Sequence, residues 1–327
     1  MHRAARRTRL AAVVTAATLR PLTQIVPGNQ VGVLVTRGII AGAMAAFGRT
    51  VPGTSATPVD MRSEAGRVMG EWVKTPASIR TDAVILYLHG SAFVACSPRT
   101  HRGLVSQLSA ESSVPAFSCR YRRAPRHRFP SAADDALASY RWLREQGHTR
   151  IVVAGDSAGG HLAIDLALEL SRRGEEPPSA LVLLSPLYDP TFELSATRER
   201  IRRDPMISAR RARTLVEHYT HGIDPFHERL RLAVRTSSPL PPTLVQAGGA
   251  EMLVGDAEQL TEDLEAAGGV CELQVWPDQM HVFQAMPRLI PEAGAAVRAA
   301  ATFISAALGP QDPFPATTQP TTAEVRP

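Results

Sequence analysis

Two hydrophobic patterns alternate along the chain. Ala83-Val84-Ile85-Leu86-Tyr87-Leu88, Ile151-Val152-Val153-Ala154 and Ala180-Leu181-Val182-Leu183-Leu184 are short, continuous apolar runs. Runs of that length, apolar at every position, read as strands buried on both faces. Val114–Tyr121, Thr243–Ala247 and Cys271–Trp276 read as further strands, and Arg67–Val73 as the first of the series. Between them lie stretches with helical spacing: Arg99–Glu111, Pro130 to about Gln146, the segment opening at His161, Asp256–Ala267 and Pro291–Leu308. Strands alternating with helices predict a mostly parallel central sheet wrapped by helices on both faces.

Three regions break the alternation. Residues 1–60 hold two apolar stretches, Leu10–Leu19 and Val31–Phe47, the first preceded by a basic segment and the second interrupted by Arg37. The basic-then-apolar order resembles a signal peptide. The first run, however, is shorter than the roughly 20 residues a membrane span takes, and no small-x-small cleavage site precedes a polar start. Both stretches are read as amphipathic helices packed over an apolar surface, with peripheral membrane contact as the alternative. Residues 190–240 form a helical insertion between two strands, with helical segments at Thr197–Arg203 and Ala209–His221. Such an insertion suits a cap over the carboxyl ends of the strands. Residues 309–327, rich in Pro and Thr, read as a disordered tail. The expected organisation is therefore an N-terminal helical cap region over 1–60 and a catalytic domain over 61–308 with a cap insertion at about 190–240.

Composition adds limits. The chain has 327 residues, 44% hydrophobic and 20% charged, which suits a folded globular protein with a large core. The formal net charge is +5, and Lys74 is the only lysine among 36 basic residues. The arginines are scattered and no basic run is interleaved with aromatics, so nucleic acid is not the expected partner; anionic surfaces such as phospholipid headgroups suit the charge better. Cys96, Cys119 and Cys271 are odd in number and far apart, so no disulfide framework is expected. No zinc spacing occurs, and neither a metal nor a cofactor is expected. The reading favours a reducing compartment, hence the cytoplasm, with membrane or cell-envelope association as the variant.

The chemistry centres on Gly155-Asp156-Ser157-Ala158-Gly159, which fits G-x-S-x-G between a predicted strand and a predicted helix. That context makes a nucleophile elbow, in which a sharp turn exposes the serine hydroxyl above the sheet. Acyl transfer by serine then needs a base, a carboxylate to orient it, and donors for the oxyanion, with the order Ser, acid, His in the α/β-hydrolase layout. His281 follows the last strand and is the expected base, whereas His161 lies on the elbow's own helix and His218, His221 and His227 lie in the insertion. The acid belongs in the loop after Thr243–Ala247, where Glu251 is preferred and Asp256 is the rival, since Asp256 also suits a helix N-cap. Backbone N–H groups of Gly90, Ser91 and Ala158 are the expected oxyanion donors.

Three motifs together resemble the hormone-sensitive-lipase family of α/β-hydrolase esterases. They are GDSAGG at 155–160, the Tyr121–Pro130 segment YRRAPRHRFP followed by Ala133-Asp134-Asp135, and His89-Gly90-Ser91-Ala92-Phe93 where that family carries HGGGF. The resemblance spans about 66–308. It implies helical cap pieces from the N-terminus and from 190–240, a small-molecule ester substrate, and short- to medium-chain acyl groups. Two departures stand out: Ser91 and Ala92 replace glycines, which restricts backbone freedom beside the oxyanion hole, and Glu251 stands where the family usually has Asp. Esters of bulky tertiary alcohols, associated with the three-glycine form, become less favoured. The expected function is a carboxylesterase or lipase acting through an acyl-enzyme; the alternatives are a non-catalytic ligand-binding homologue and an amidase or deacetylase.

Overall fold

The computed structural model describes residues 6–310. Its centre is one eight-stranded sheet in the order β1-β2-β4-β3-β5-β6-β7-β8. The strands are β1 (Ser55–Ser63), β2 (Gly66–Lys74), β3 (Ala83–Leu88), β4 (Ala116–Cys119), β5 (Arg150–Asp156), β6 (Ala180–Leu184), β7 (Thr243–Gly248) and β8 (Cys271–Trp276). All pairs from β4 through β8 are parallel; β1–β2 and β2–β4 are antiparallel.

The continuous apolar runs have the burial they predict. Val84, Leu86 and Leu88 of β3 face one core cluster, and Ala83, Ile85 and Tyr87 face the other. The period of two thus sends alternate side chains to opposite, equally dry sides. The helices α4 (Ser131–Glu145), α5 (Ala158–Arg173) and α8 (Val254–Ala266) contribute to the first cluster. The helices α3 (Pro98–Ser112) and α9 (Ala293–Leu308) contribute to the second. Each fully buried Val, Leu or Ile contributes about 1.5–3 kcal/mol relative to exposure, against the entropy of ordering it.

The main difference from the pattern is β1. Its residues, SATPVDMRS, are almost all exposed or half-buried, so this edge strand carries no hydrophobic run. The sheet therefore begins inside the 1–60 stretch rather than at Arg67. The rest of that stretch forms α1 (Arg6–Ile25) and α2 (Gln30–Phe47). By length and composition α2 is the one described helix that could cross a membrane, and 11% of it is buried. The insertion forms α6 (Glu193–Ile201) and α7 (Ala209–Thr220). From residue 311 on, the predicted tail lies outside the described residues.

Candidate active site

The elbow forms where β5 meets α5. Ser157 sits at φ 51°, ψ −120°, a region that costs a non-glycine residue on the order of 1–3 kcal/mol and persists only where packing enforces it. The flanking glycines are required by close approach rather than by their own dihedrals. A Cβ on Gly159 would lie 1.9 Å from the Leu88 carbonyl oxygen, and one on Gly155 2.4 Å from that of Gly159.

His281 follows β8, and its Nδ1 is hydrogen-bonded to Glu251 Oε2. The other carboxylate oxygen of Glu251 accepts from the Gly248 N–H at 2.6 Å and from the Ser185 hydroxyl at 2.8 Å. Ser185 in turn accepts from the Val282 N–H at 3.1 Å, which ties the acid loop to the histidine loop. Glu251 is buried and both of its oxygens are hydrogen-bonded. Burial alone would push the His281 imidazole down, but the charge and hydrogen bond of Glu251 outweigh it and hold the pKa above the ordinary value.

Asp256 is elsewhere. It accepts from the N–H groups of Tyr188 and Asp189 at 3.0 and 2.9 Å and from the Ser195 hydroxyl at 2.9 Å. It anchors the start of the insertion to α8, and burial raises its pKa to about 7. Of the two acids considered from sequence, only Glu251 touches His281. Two of the other histidines have contacts of their own: His161 Nε2 meets the Arg229 carbonyl at 3.2 Å, and His227 packs edge-on against Phe129.

The loop after β3 corrects one of the oxyanion donors. The Gly90 N–H donates to Asp156 Oδ1 at 3.0 Å and is therefore occupied. Ser91, Ala92 and Phe93 follow with φ of 82°, 54° and 60°, three successive left-handed residues where the family pattern uses glycine. Among the described residues no protein acceptor is bound to the N–H groups of Ser91, Ala92 or Ala158. The available set is thus Ser91, Ala92 and Ala158, with Ala92 in place of Gly90. The Ser91 side chain is held by Cys96, Oγ to Sγ 2.8 Å.

Beneath this loop lies a buried polar layer that motif reading missed. Asp156 accepts from the Tyr87 hydroxyl at 2.7 Å and has His101 Nε2 at 3.3 Å. Burial opposes the His101 charge, but the Asp156 carboxylate outweighs it and raises the pKa well above the ordinary imidazole value. Tyr121 donates to the His89 carbonyl at 2.6 Å. Arg37, the charge that interrupts the second apolar stretch, reaches from α2 to donate to the carbonyls of Val94 and Ala124 at 2.7 and 3.1 Å. Asp156 and Tyr121 lie inside the quoted motifs, but nothing in their spacing says that both serve the oxyanion loop.

Ser157, His281, Ser91 and Ala92 open onto one cavity of about 200 Å³. His101 and Asp156 also reach it, and much of the remaining, mostly apolar wall comes from the helices outside the sheet: Leu19 and Val26 near the end of α1, Ile39, Ile40 and Met44 of α2, and Leu215 and Val216 of α7. No group of three or more His, Cys, Asp or Glu side chains able to hold a metal ion occurs among the described residues.

A parallel sheet with a serine elbow and a carboxylate-bound histidine above its carboxyl edge defines the α/β-hydrolase class. The family profile described as alpha/beta hydrolase fold matches residues 85–285. The chain belongs to this family and, within it, is an esterase of the hormone-sensitive-lipase type. It is 34% identical over 311 residues to a carboxylesterase/phospholipase, LipF, of Mycobacterium tuberculosis, covering 90% of this chain and 80% of that protein. It is 36% identical over 247 residues to an acetyl-hydrolase of Streptomyces hygroscopicus, covering 75% and 82%. A crystal structure of an esterase from the bacterial hormone-sensitive lipase family superposes with a TM-score of 0.82 at 29% identity, covering 94% of this chain and 100% of that one.

Proposed function

We propose that the protein hydrolyses short- to medium-chain acyl esters through a covalent acyl-enzyme on Ser157. The observation that carries this reading is the cavity that brings the strained serine, the Glu251-bound histidine and the unengaged loop N–H groups together. Glu251 fixes the Nδ1–H tautomer of His281, which leaves Nε2 to take the Ser157 proton as Oγ attacks the ester carbonyl. The oxyanion formed is met by the N–H groups of Ser91, Ala92 and Ala158, fixed in place before the charge develops. As the intermediate collapses, His281 returns the proton to the departing alcohol. Water, deprotonated by the same imidazole, then releases the acid.

The apolar cavity wall and its modest volume support an acyl group of short to medium length. The absence of a charged side chain from the α1, α2 and α7 lining argues against acidic or basic acyl groups. A binding-only role fits less well, because each part of the acyl-transfer set is present and oriented. We also place the protein's work in the cytoplasm, in contact with a membrane or the cell envelope through α1 and α2. A p-nitrophenyl ester series of increasing acyl length, run on the wild type and on Ser157→Ala, tests the chemistry. Turnover should peak at short or medium chains and vanish in the variant; equal rates in both proteins would end the serine mechanism.

A further inference from the structure

The N-terminal helices are apolar on two faces. The inner face of α2 lines the substrate cavity through Ile39, Ile40 and Met44. On its outer face every exposed position after Gln30 is apolar: Val31, Leu34 and Val35, then only glycine, alanine and Phe47. Leu34 is 62% exposed and, on α1, Val13 is 65% exposed. A helix apolar all round is normally buried or in contact with lipid, and contiguous exposed apolar surface marks an interaction site.

The charge carried by these helices themselves is one-sided. The first acidic residue of the chain is Asp60, and seven arginines precede it. Val13 also borders a groove of about 470 Å³ lined by Arg9, Arg20, Arg202 and Arg203. Three of these are partly matched. Arg9 and Arg202 share Asp278 at 3.7 and 2.9 Å. Arg20 pairs with Glu199 at 3.0 Å and donates to the Asp204 carbonyl. Arg203 is exposed and makes no hydrogen bond or ion pair among the described residues. Asp204 accepts from the N–H groups of Met206, Ile207 and Met252, so it is turned to the backbone rather than to the arginines.

We infer that the outer faces of α1 and α2 dock on an anionic phospholipid bilayer, with the arginine groove holding a lipid phosphate. The inference rests on the proposed membrane contact and adds to it the lipid class and the residues. Apolar side chains beside four arginines, whose two aspartate neighbours in the groove are engaged by arginine (Asp278) or by backbone N–H groups (Asp204), form the combination that interfacial binding requires. Because the same helices wall the substrate cavity, docking would set the acyl pocket beside the acyl layer.

The test is co-sedimentation of the full chain with vesicles of phosphatidylcholine alone and with roughly one third phosphatidylglycerol added. Ser157→Ala is the reference protein, so that vesicle lipid is not consumed. Binding should require the anionic lipid and weaken with salt. Arg203→Glu should reduce it by about tenfold or more, and Leu34→Ser with Val35→Ser by a similar factor. In a Ser157 background both variants should still turn over a soluble short-chain ester, which separates lost docking from lost fold. Absence of binding to anionic vesicles, or equal binding to neutral ones, would overturn the inference. So would a dimer in sedimentation velocity that the α2 substitutions dissolve while no vesicle binding occurs; that face would then join two copies. Failure of the serine mechanism would leave vesicle binding intact, so the two proposals fail separately.

Discussion

Replacing Glu251 by Gln exchanges one carboxylate oxygen for an amide NH₂ at a site where both oxygens accept hydrogen bonds. One oxygen accepts from the Gly248 N–H and the Ser185 hydroxyl, the other meets His281 Nδ1. The backbone N–H cannot turn away, so the amide oxygen must stay with Gly248 and the NH₂ must face Nδ1. His281 then carries its proton on Nε2, the nitrogen that has to accept from Ser157. The corresponding aspartate-to-asparagine change in a serine protease lowers kcat about 10⁴-fold, or about 5 kcal/mol of transition-state stabilisation. A loss of that order is expected here with little change in KM, measured on a p-nitrophenyl ester. The pH profile gives a second readout. The base must be neutral, and Glu251 raises the His281 pKa, so wild-type activity falls as pH drops through that raised value. Without the carboxylate charge the acid limb should move to lower pH. A loss below about tenfold, or an equal loss in Asp256→Asn, would refute the assignment of Glu251.

Three further outcomes follow from other contacts. Asp256→Asn should keep most activity and change the pH dependence of stability. Burial raises the folded pKa of Asp256 from the ordinary 3.8 to about 7, so its neutral form favours folding below pH 4 and that contribution is lost as pH rises through 7. The thermal midpoint of the wild type relative to the variant should therefore be lower at pH 8 than at pH 5. Arg229 donates to buried Asp165 at 2.9 Å and to Asp134 at 2.9 Å; Arg229→Ala leaves Asp165 without its main partner and should cost about 3–5 kcal/mol in denaturant unfolding. Ser91→Gly removes a side chain at φ 82°. Strain relief and added chain entropy oppose each other at about 1 kcal/mol each, so stability should hold while kcat/KM rises more for tertiary-alcohol esters than for primary ones. An equal change for both would mean that this Cβ does not shape the hole.

The sheet was legible where burial made it so. β3, β5 and β6 are dry on both faces, and their runs are apolar at every position. β1 escaped because an exposed edge strand needs no apolar residues. The placement of Ser157 at a strand-to-helix elbow and of His281 in the loop after the last strand was legible because both positions are defined by local sequence. The choice of Glu251 over Asp256 could be preferred but not fixed from sequence, since only four residues lie between them and only the fold decides which turns to His281. The Gly90 assignment failed for a similar reason: the sequence shows an N–H, but the acceptor that occupies it, Asp156, lies 66 residues away. Arg37 read as a flaw in an apolar helix. It is the side chain that ties α2 to the oxyanion loop.

The proposed mechanism requires Ser157 to form the acyl bond. Intact-mass spectrometry after brief treatment with a fluorophosphonate tests it directly, with peptide mapping to locate the adduct. A single phosphonyl adduct on Ser157 is expected, slowed in Glu251→Gln and absent in Ser157→Ala. An unmodified wild type, or an adduct that persists in Ser157→Ala, would contradict it.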